Sequence, residues 1–175
     1  LIASTSLPNH KTPFTVLSTE RVLADGAQDL VIKMASAPVA GVQLVKTFTL
    51  HRGNYAIDVK QEVVNASAVA VSPQLYVQLV RDGTVPTAEG PTMIGAPQAY
   101  LGGAFYTGEA KFQKVEFAQI EKNEAEFQKN ADNGWVAVVQ HYFTAAWLNN
   151  TQTAREFYAR KLDVKRPEVG FRMPT

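Results

Sequence analysis

The chain has 175 residues, 46% of them hydrophobic and 19% charged, a balance that suits a packed domain with one sizeable core and excludes a disordered chain. Its 17 basic and 16 acidic residues are spread along the sequence for a net charge of +1, so no concentrated positive field awaits nucleic acid or anionic lipid. Cysteine is absent, which excludes disulfides, thiolate nucleophiles and thiolate metal sites together.

A single domain over residues 1–175 is the expectation. No apolar run approaches the roughly 18 residues that span a bilayer, and Leu1-Ile2-Ala3-Ser4 has no basic stretch followed by an apolar one. A start on leucine leads us to expect that something upstream has been removed, with a leader or an anchor among the candidates.

In chain order, the pattern is short alternating or β-branched stretches divided by turn residues, the signature of antiparallel sheet, with almost no helical periodicity. Strands are predicted at Phe14–Ser18 and Asp29–Ser36. The clearest hairpin is Val42–Val64, where Tyr55, Ile57, Val59, Gln61 and Val63 alternate with Ala56, Asp58, Lys60, Glu62 and Val64, and Gly53 supplies the positive φ its loop requires. A further strand is predicted at Gln74–Arg81. The stretch Thr84–Pro97 holds Pro86, Pro91 and Pro97 and reads as a long surface connection, since proline fixes φ and cannot donate to a ladder.

Gly102-Gly103 precedes Ala104-Phe105-Tyr106 and is read as letting a strand start or bend where a bulky neighbour comes close. Charges of both signs alternate along Lys111–Lys129, which reads as a solvated edge and as the first candidate for accepting a partner strand. Lys122–Lys129, Asn133-Gly134 and Trp135–Val139 are predicted to form a second hairpin, a polar edge strand beside a doubly buried one. Tyr142–Leu148 and Glu156–Leu162 are two more strands, after which Arg160–Thr175 trails away. The elements sum to an all-β antiparallel sandwich with little helix.

Chemistry-bearing patterns are few. His10, His51 and His141 do not share a metal-binding spacing, and no metal or cofactor is expected. His51 sits in a hairpin turn, where a solvated or locally hydrogen-bonded ring is the plain reading. His141 follows a buried apolar run, and with Asp132 or Glu156 it could serve the acid–base chemistry of a sugar epimerase, though neither carboxylate comes with a motif. There is no Gly-x-Ser-x-Gly elbow and no phosphate-binding glycine loop, so catalysis is not expected. What remains is an aromatic set, Phe105, Tyr106, Trp135, Tyr142, Phe143 and Trp147, read as a candidate groove or partner surface whose majority belongs to core.

Two segments carry a resemblance. Lys46-Thr47-Phe48-Thr49-Leu50-His51-Arg52-Gly53-Asn54-Tyr55-Ala56-Ile57-Asp58-Val59 resembles a Lys-Thr-Phe strand running into Arg-Gly-x-Tyr. Gly134-Trp135-Val136-Ala137-Val138-Val139-Gln140-His141-Tyr142-Phe143-Thr144-Ala145-Ala146-Trp147 is similar to a Gly-Trp-x-Ala-x-x-Gln-x-Tyr-Phe-x-x-Ala-Trp signature. Both belong to the large periplasmic domain of the YidC membrane protein insertase family, and the resemblance covers roughly Thr12 to Ala159. It implies a β-supersandwich related to the galactose mutarotase fold, on the periplasmic face of the bacterial inner membrane between transmembrane helices that this chain does not include. It further implies a non-catalytic role beside the Sec translocon (SecF, SecD, SecYEG) and nascent membrane proteins. The alternative is a carbohydrate-binding or aldose epimerase-like sandwich. Family domains extend beyond both ends of this chain, so truncation is expected, with self-association through unpaired sheet edges if the chain is complete as written.

Overall fold

The computed structural model describes residues 7–84, 100–140 and 142–174. The chain divides into two compact units, one ending at Gln74 and one running from Leu75 to Pro174.

The first unit is a four-stranded antiparallel sheet of β1 (Phe14–Val16), β2 (Asp29–Ser36), β3 (Val42–His51) and β4 (Ile57–Asn65), in the order β1-β2-β3-β4. β3 and β4 pair from Val42↔Asn65 to Leu50↔Ile57, so the hairpin predicted from alternation is present, with Gly53 at φ 70 in its turn. The register sets Ile32, Phe48 and Val59 side by side on one face and Lys33, Thr47 and Lys60 on the other. Val42 and Leu44 are buried on the apolar face with Leu7, Phe14 and Val71 against them. Lys46 shares that face and lays its ammonium over the Phe14 ring at 4.7 Å, and burial pulls its pKa down.

The second unit contains β5 (Tyr76–Val80), β6 (Leu101–Thr107), β7 (Lys111–Glu116), α1 (Phe117–Lys122), β8 (Asn130–Ala131), β9 (Trp135–Gln140), β10 (Phe143–Leu148), β11 (Arg155–Asp163) and β12 (Arg166–Arg172). Two four-stranded antiparallel sheets form, ordered β10-β9-β6-β7 and β5-β12-β11-β8. They face each other across one core of Val77, Phe105, Val115, Phe117, Ile120, Val136, Val138, Phe157, Val169 and Phe171. This is the expected antiparallel sandwich. Each such side chain contributes about 1.5–3 kcal/mol relative to staying in water. Phe105 is fully buried, stacked on Phe127 with centroids 4.3 Å apart and edge-on to Phe157 at 6.0 Å.

Gly102 and Gly103 have the close neighbours anticipated for them. A Cβ on Gly102 would lie 2.5 Å from the Tyr100 hydroxyl, and one on Gly103 would lie 2.8 Å from Val169 Cγ1. The Tyr100 hydroxyl sits 3.0 Å from the Val115 carbonyl and accepts from the Val115 amide at 2.9 Å, and burial pushes the phenol up to about 12.

Three predicted features differ. Lys122–Lys129 is not a strand: α1 ends at Lys122, residues 123–129 take no regular form, and the hairpin partner assigned to β9 is replaced by β6 on one side and β10 on the other. The helix is too short to show periodicity, yet it buries Phe117 and Ile120 one turn apart, with the Gln119 side chain accepting from the Glu116 amide at 2.8 Å and Asn123 closing it at φ 58. The segment after it is held by Phe127 against Phe105 and by the Gln128 amide on Gln113 Oε1 at 2.9 Å. Gly134 is required by a close approach and not by a two-residue turn, since a Cβ there would fall 1.9 Å from the Tyr106 carbonyl oxygen. Finally, Arg166–Arg172 forms β12 in the middle of its sheet. This stretch, expected to trail away, holds Pro167, whose carbonyl accepts from the Arg81 amide at 3.1 Å, just past the end of β5, where a missing N–H breaks no ladder with that strand. The prolines of 85–97 lie outside the described residues.

Arg155 is 2% exposed and ties the loops around it. Its guanidinium donates to the carbonyls of Gly134 at 2.9 Å, Asp132 at 3.1 Å, Thr153 at 3.2 Å, Asn149 at 3.3 Å and also Thr151, and it lies over the Phe171 ring at 5.4 Å. Burial pulls its pKa down. Glu168 is also fully buried, paired with Arg160 Nη2 at 3.0 Å.

Candidate functional site

The six aromatic residues singled out from the sequence fall into three places. Phe105 belongs to the core. Trp147 packs at its margin from β10, and its indole N–H donates to the Gln78 carbonyl on β5 at 3.0 Å, linking the two sheets at that side of the sandwich. Tyr106 and Trp135 point to the opposite face of their sheet and stack with centroids 5.8 Å apart. Tyr142 and Phe143, at the start of β10, are 86% and 76% exposed.

Strand register explains the grouping. Tyr106 on β6 is opposite Phe112 on β7 and Trp135 on β9, and Trp135 is opposite Leu148 on β10. The four form a row across every strand of the sheet, with Phe112 5.9 Å from Trp135 by ring centroids. Its ends are open to solvent, Phe112 being 50% and Leu148 62% exposed. Phe112 was hidden in the charged run Lys111–Lys129. Its signal was alternation: within Lys-Phe-Gln-Lys-Val-Glu, Val115 faces the core and Phe112 takes the other parity.

Sheet edges form the second part of the surface. β7, at one edge, carries Lys111, Lys114 and Glu116, the charges expected of a solvated edge. β10, at the opposite edge, reads Phe-Thr-Ala-Ala-Trp-Leu and has no charge at all.

Among the histidines, His51 bridges two strands. Nδ1 lies 2.6 Å from Asp29 Oδ1 and Nε2 lies 3.1 Å from Asp58 Oδ2, and these hydrogen bonds, that to Asp29 first, hold the ring's pKa above its ordinary value. The linkage has a definite sign. A raised folded-state pKa makes this contribution complete below the unfolded value of about 6.5, and it is lost as pH rises through the folded value. His51→Gln should therefore lose more urea resistance relative to the parent at pH 5.5 than at pH 8.5, and a gap that does not shrink with pH would discard the idea. His141 lies outside the described residues. Among those described, no group of three or more His, Cys, Asp or Glu side chains is arranged to hold a metal ion.

A family described as the YidC periplasmic domain matches residues 1–175, reaching past the resembling stretch to both ends. The chain belongs to the YidC periplasmic domain family. It is similar to the membrane protein insertase YidC of Aromatoleum aromaticum, 46% identical over 156 residues that make up 89% of this chain and 28% of that protein. The protein of the same name from Nitrosomonas europaea is 45% identical over 157 residues, 89% of this chain and 25% of the relative. That from Nitrosospira multiformis is 42% identical over 168 residues, 96% and 29%. The chain thus spans between 25% and 29% of the length of these relatives. As a YidC periplasmic domain it lies in the periplasm, and no described helix is long and apolar enough to cross a membrane.

Proposed function

We propose that this chain is a non-catalytic docking domain of an inner-membrane protein insertase, giving the parent protein a periplasmic surface for Sec translocon components (SecF, SecD, SecYEG) or nascent membrane proteins. The observation that carries this reading is the row Phe112, Tyr106, Trp135 and Leu148, an apolar strip in register across one sheet face with solvent at both ends. The non-catalytic part is supported by the state of the two carboxylates an epimerase could use with His141. Asp132 accepts from the Asn133 side chain at 2.6 Å, and Glu156 is paired with Arg172 at 2.7 Å. The parent's transmembrane helices would supply the membrane attachment.

The test is site-specific photo-crosslinking in the full-length insertase. A photoreactive residue at Phe112 or Leu148 should capture a translocon subunit or a nascent membrane protein in living cells, whereas one at Lys60, on the polar face of the other unit, should not. Equal capture from all three positions, or none from Phe112 and Leu148, would overturn the reading.

A further inference from the structure

We propose that β10 pairs antiparallel with β10 of a second copy of this chain, about a two-fold axis at Ala145. The sequence from residue 134 to 154 carries no Lys, Arg, Asp or Glu, so two copies of this edge meet without like charges. The other edges are less suited. β4 presents Asp58, Lys60 and Glu62, and β7 presents Lys111, Lys114 and Glu116. β1 has 3 residues and β8 has 2. β5 already gives its Gln78 carbonyl to the Trp147 indole.

Symmetry narrows the register and aromatic pairing chooses within it. A two-fold axis perpendicular to the sheet keeps each face continuous and requires residues of the same parity to oppose each other. With Ala145 on the axis, Phe143 of each copy lies opposite Trp147 of the other, giving two identical aromatic cross-strand pairs, while Thr144 meets Ala146 and Tyr142 meets Leu148. Phe143 and Leu148 are 76% and 62% exposed, so the surface such pairing would cover is available. The two β10-β9-β6-β7 sheets would become one continuous sheet, removing the uncharged edge from solvent.

The experiment is sedimentation equilibrium of the 175-residue chain over a wide concentration range, together with substituted variants. Ala145→Lys sets two lysines against each other on the axis and should weaken self-association by roughly 10-fold or more, because like charges directly opposite are destabilising. The chain has no cysteine, so Ala145→Cys introduces a single thiol that should oxidise to a covalent dimer, while Phe112→Cys, away from this edge, should not. Circular dichroism of each variant shows whether it is folded. A chain that remains monomeric at the highest concentration overturns the proposal, whether β10 is then bare or taken by another polypeptide. So does a dimer that ignores Ala145→Lys, or equal crosslinking of the Ala145→Cys and Phe112→Cys variants.

Discussion

Replacing Arg155 by methionine should lower the stability of the folded chain by about 3–5 kcal/mol, the scale set by stranding several hydrogen-bond acceptors at once. Five carbonyls, those of Asp132, Gly134, Asn149, Thr151 and Thr153, share this one guanidinium, and they come from the segment entering β9 and the segment joining β10 to β11. Methionine keeps the length and apolar stem of the side chain, so the loss measures hydrogen bonding more than packing. Lysine keeps the charge but offers a single nitrogen in place of a planar fork, and Arg155→Lys should recover less than half of the loss. Urea unfolding followed by circular dichroism measures both. A methionine variant within about 1 kcal/mol of the parent would mean that the two segments are held by their other contacts.

Gly134→Ala should be comparably damaging, at about 3 kcal/mol or more, because two costs coincide. The residue sits at φ 104, where an L side chain is strained, and its Cβ would overlap the Tyr106 carbonyl oxygen at 1.9 Å. Relief requires β6 and β9 to move apart where Tyr106 stacks on Trp135. Gly53→Ala is the matched control. It also has positive φ, 70, but nothing lies within 4 Å of its added Cβ, so it should cost only about 1 kcal/mol. Thermal or urea unfolding of the two variants separates backbone strain from steric overlap, and near-equal losses would show that the overlap at Gly134 relaxes freely.

Where a single local rule governs an element, the sequence was readable. β2 occupies the predicted span Asp29–Ser36, and the β3–β4 hairpin follows from strict alternation closed by a glycine at positive φ. Reading failed where tertiary context outweighs the local signal. α1 has one buried pair, Phe117 and Ile120, too little to reveal a helical period. Residues 123–129 look like a polar strand, but the Phe127 side chain stacks on Phe105 of β6, the Gln128 side chain accepts from Thr107 of β6, and the Gln128 backbone amide donates to Gln113 of β7. Pro167 disguises a central strand because its missing donor faces Arg81, just past the end of β5. The candidate site was half legible for the same reason. Tyr106 and Trp135 were visible as aromatics in strands, yet only the pairing register reveals that Phe112 and Leu148 extend them into a row and that Phe105, their neighbour in sequence, points the other way.

The placement of the two tryptophans gives the molecule a pair of built-in optical probes. Trp147, hydrogen-bonded to the Gln78 carbonyl at the margin of the core, should emit at shorter wavelength and shift to the red when the two sheets of the sandwich separate. Trp135, stacked on Tyr106 outside the core, should respond instead when a partner covers that face. With Trp147 replaced by phenylalanine, a change in emission would report occupancy of the aromatic row. With Trp135 replaced and the chain kept dilute enough that β10 is unpaired, it would report opening of the sandwich, so coverage of the row and unfolding could be followed separately without an attached dye.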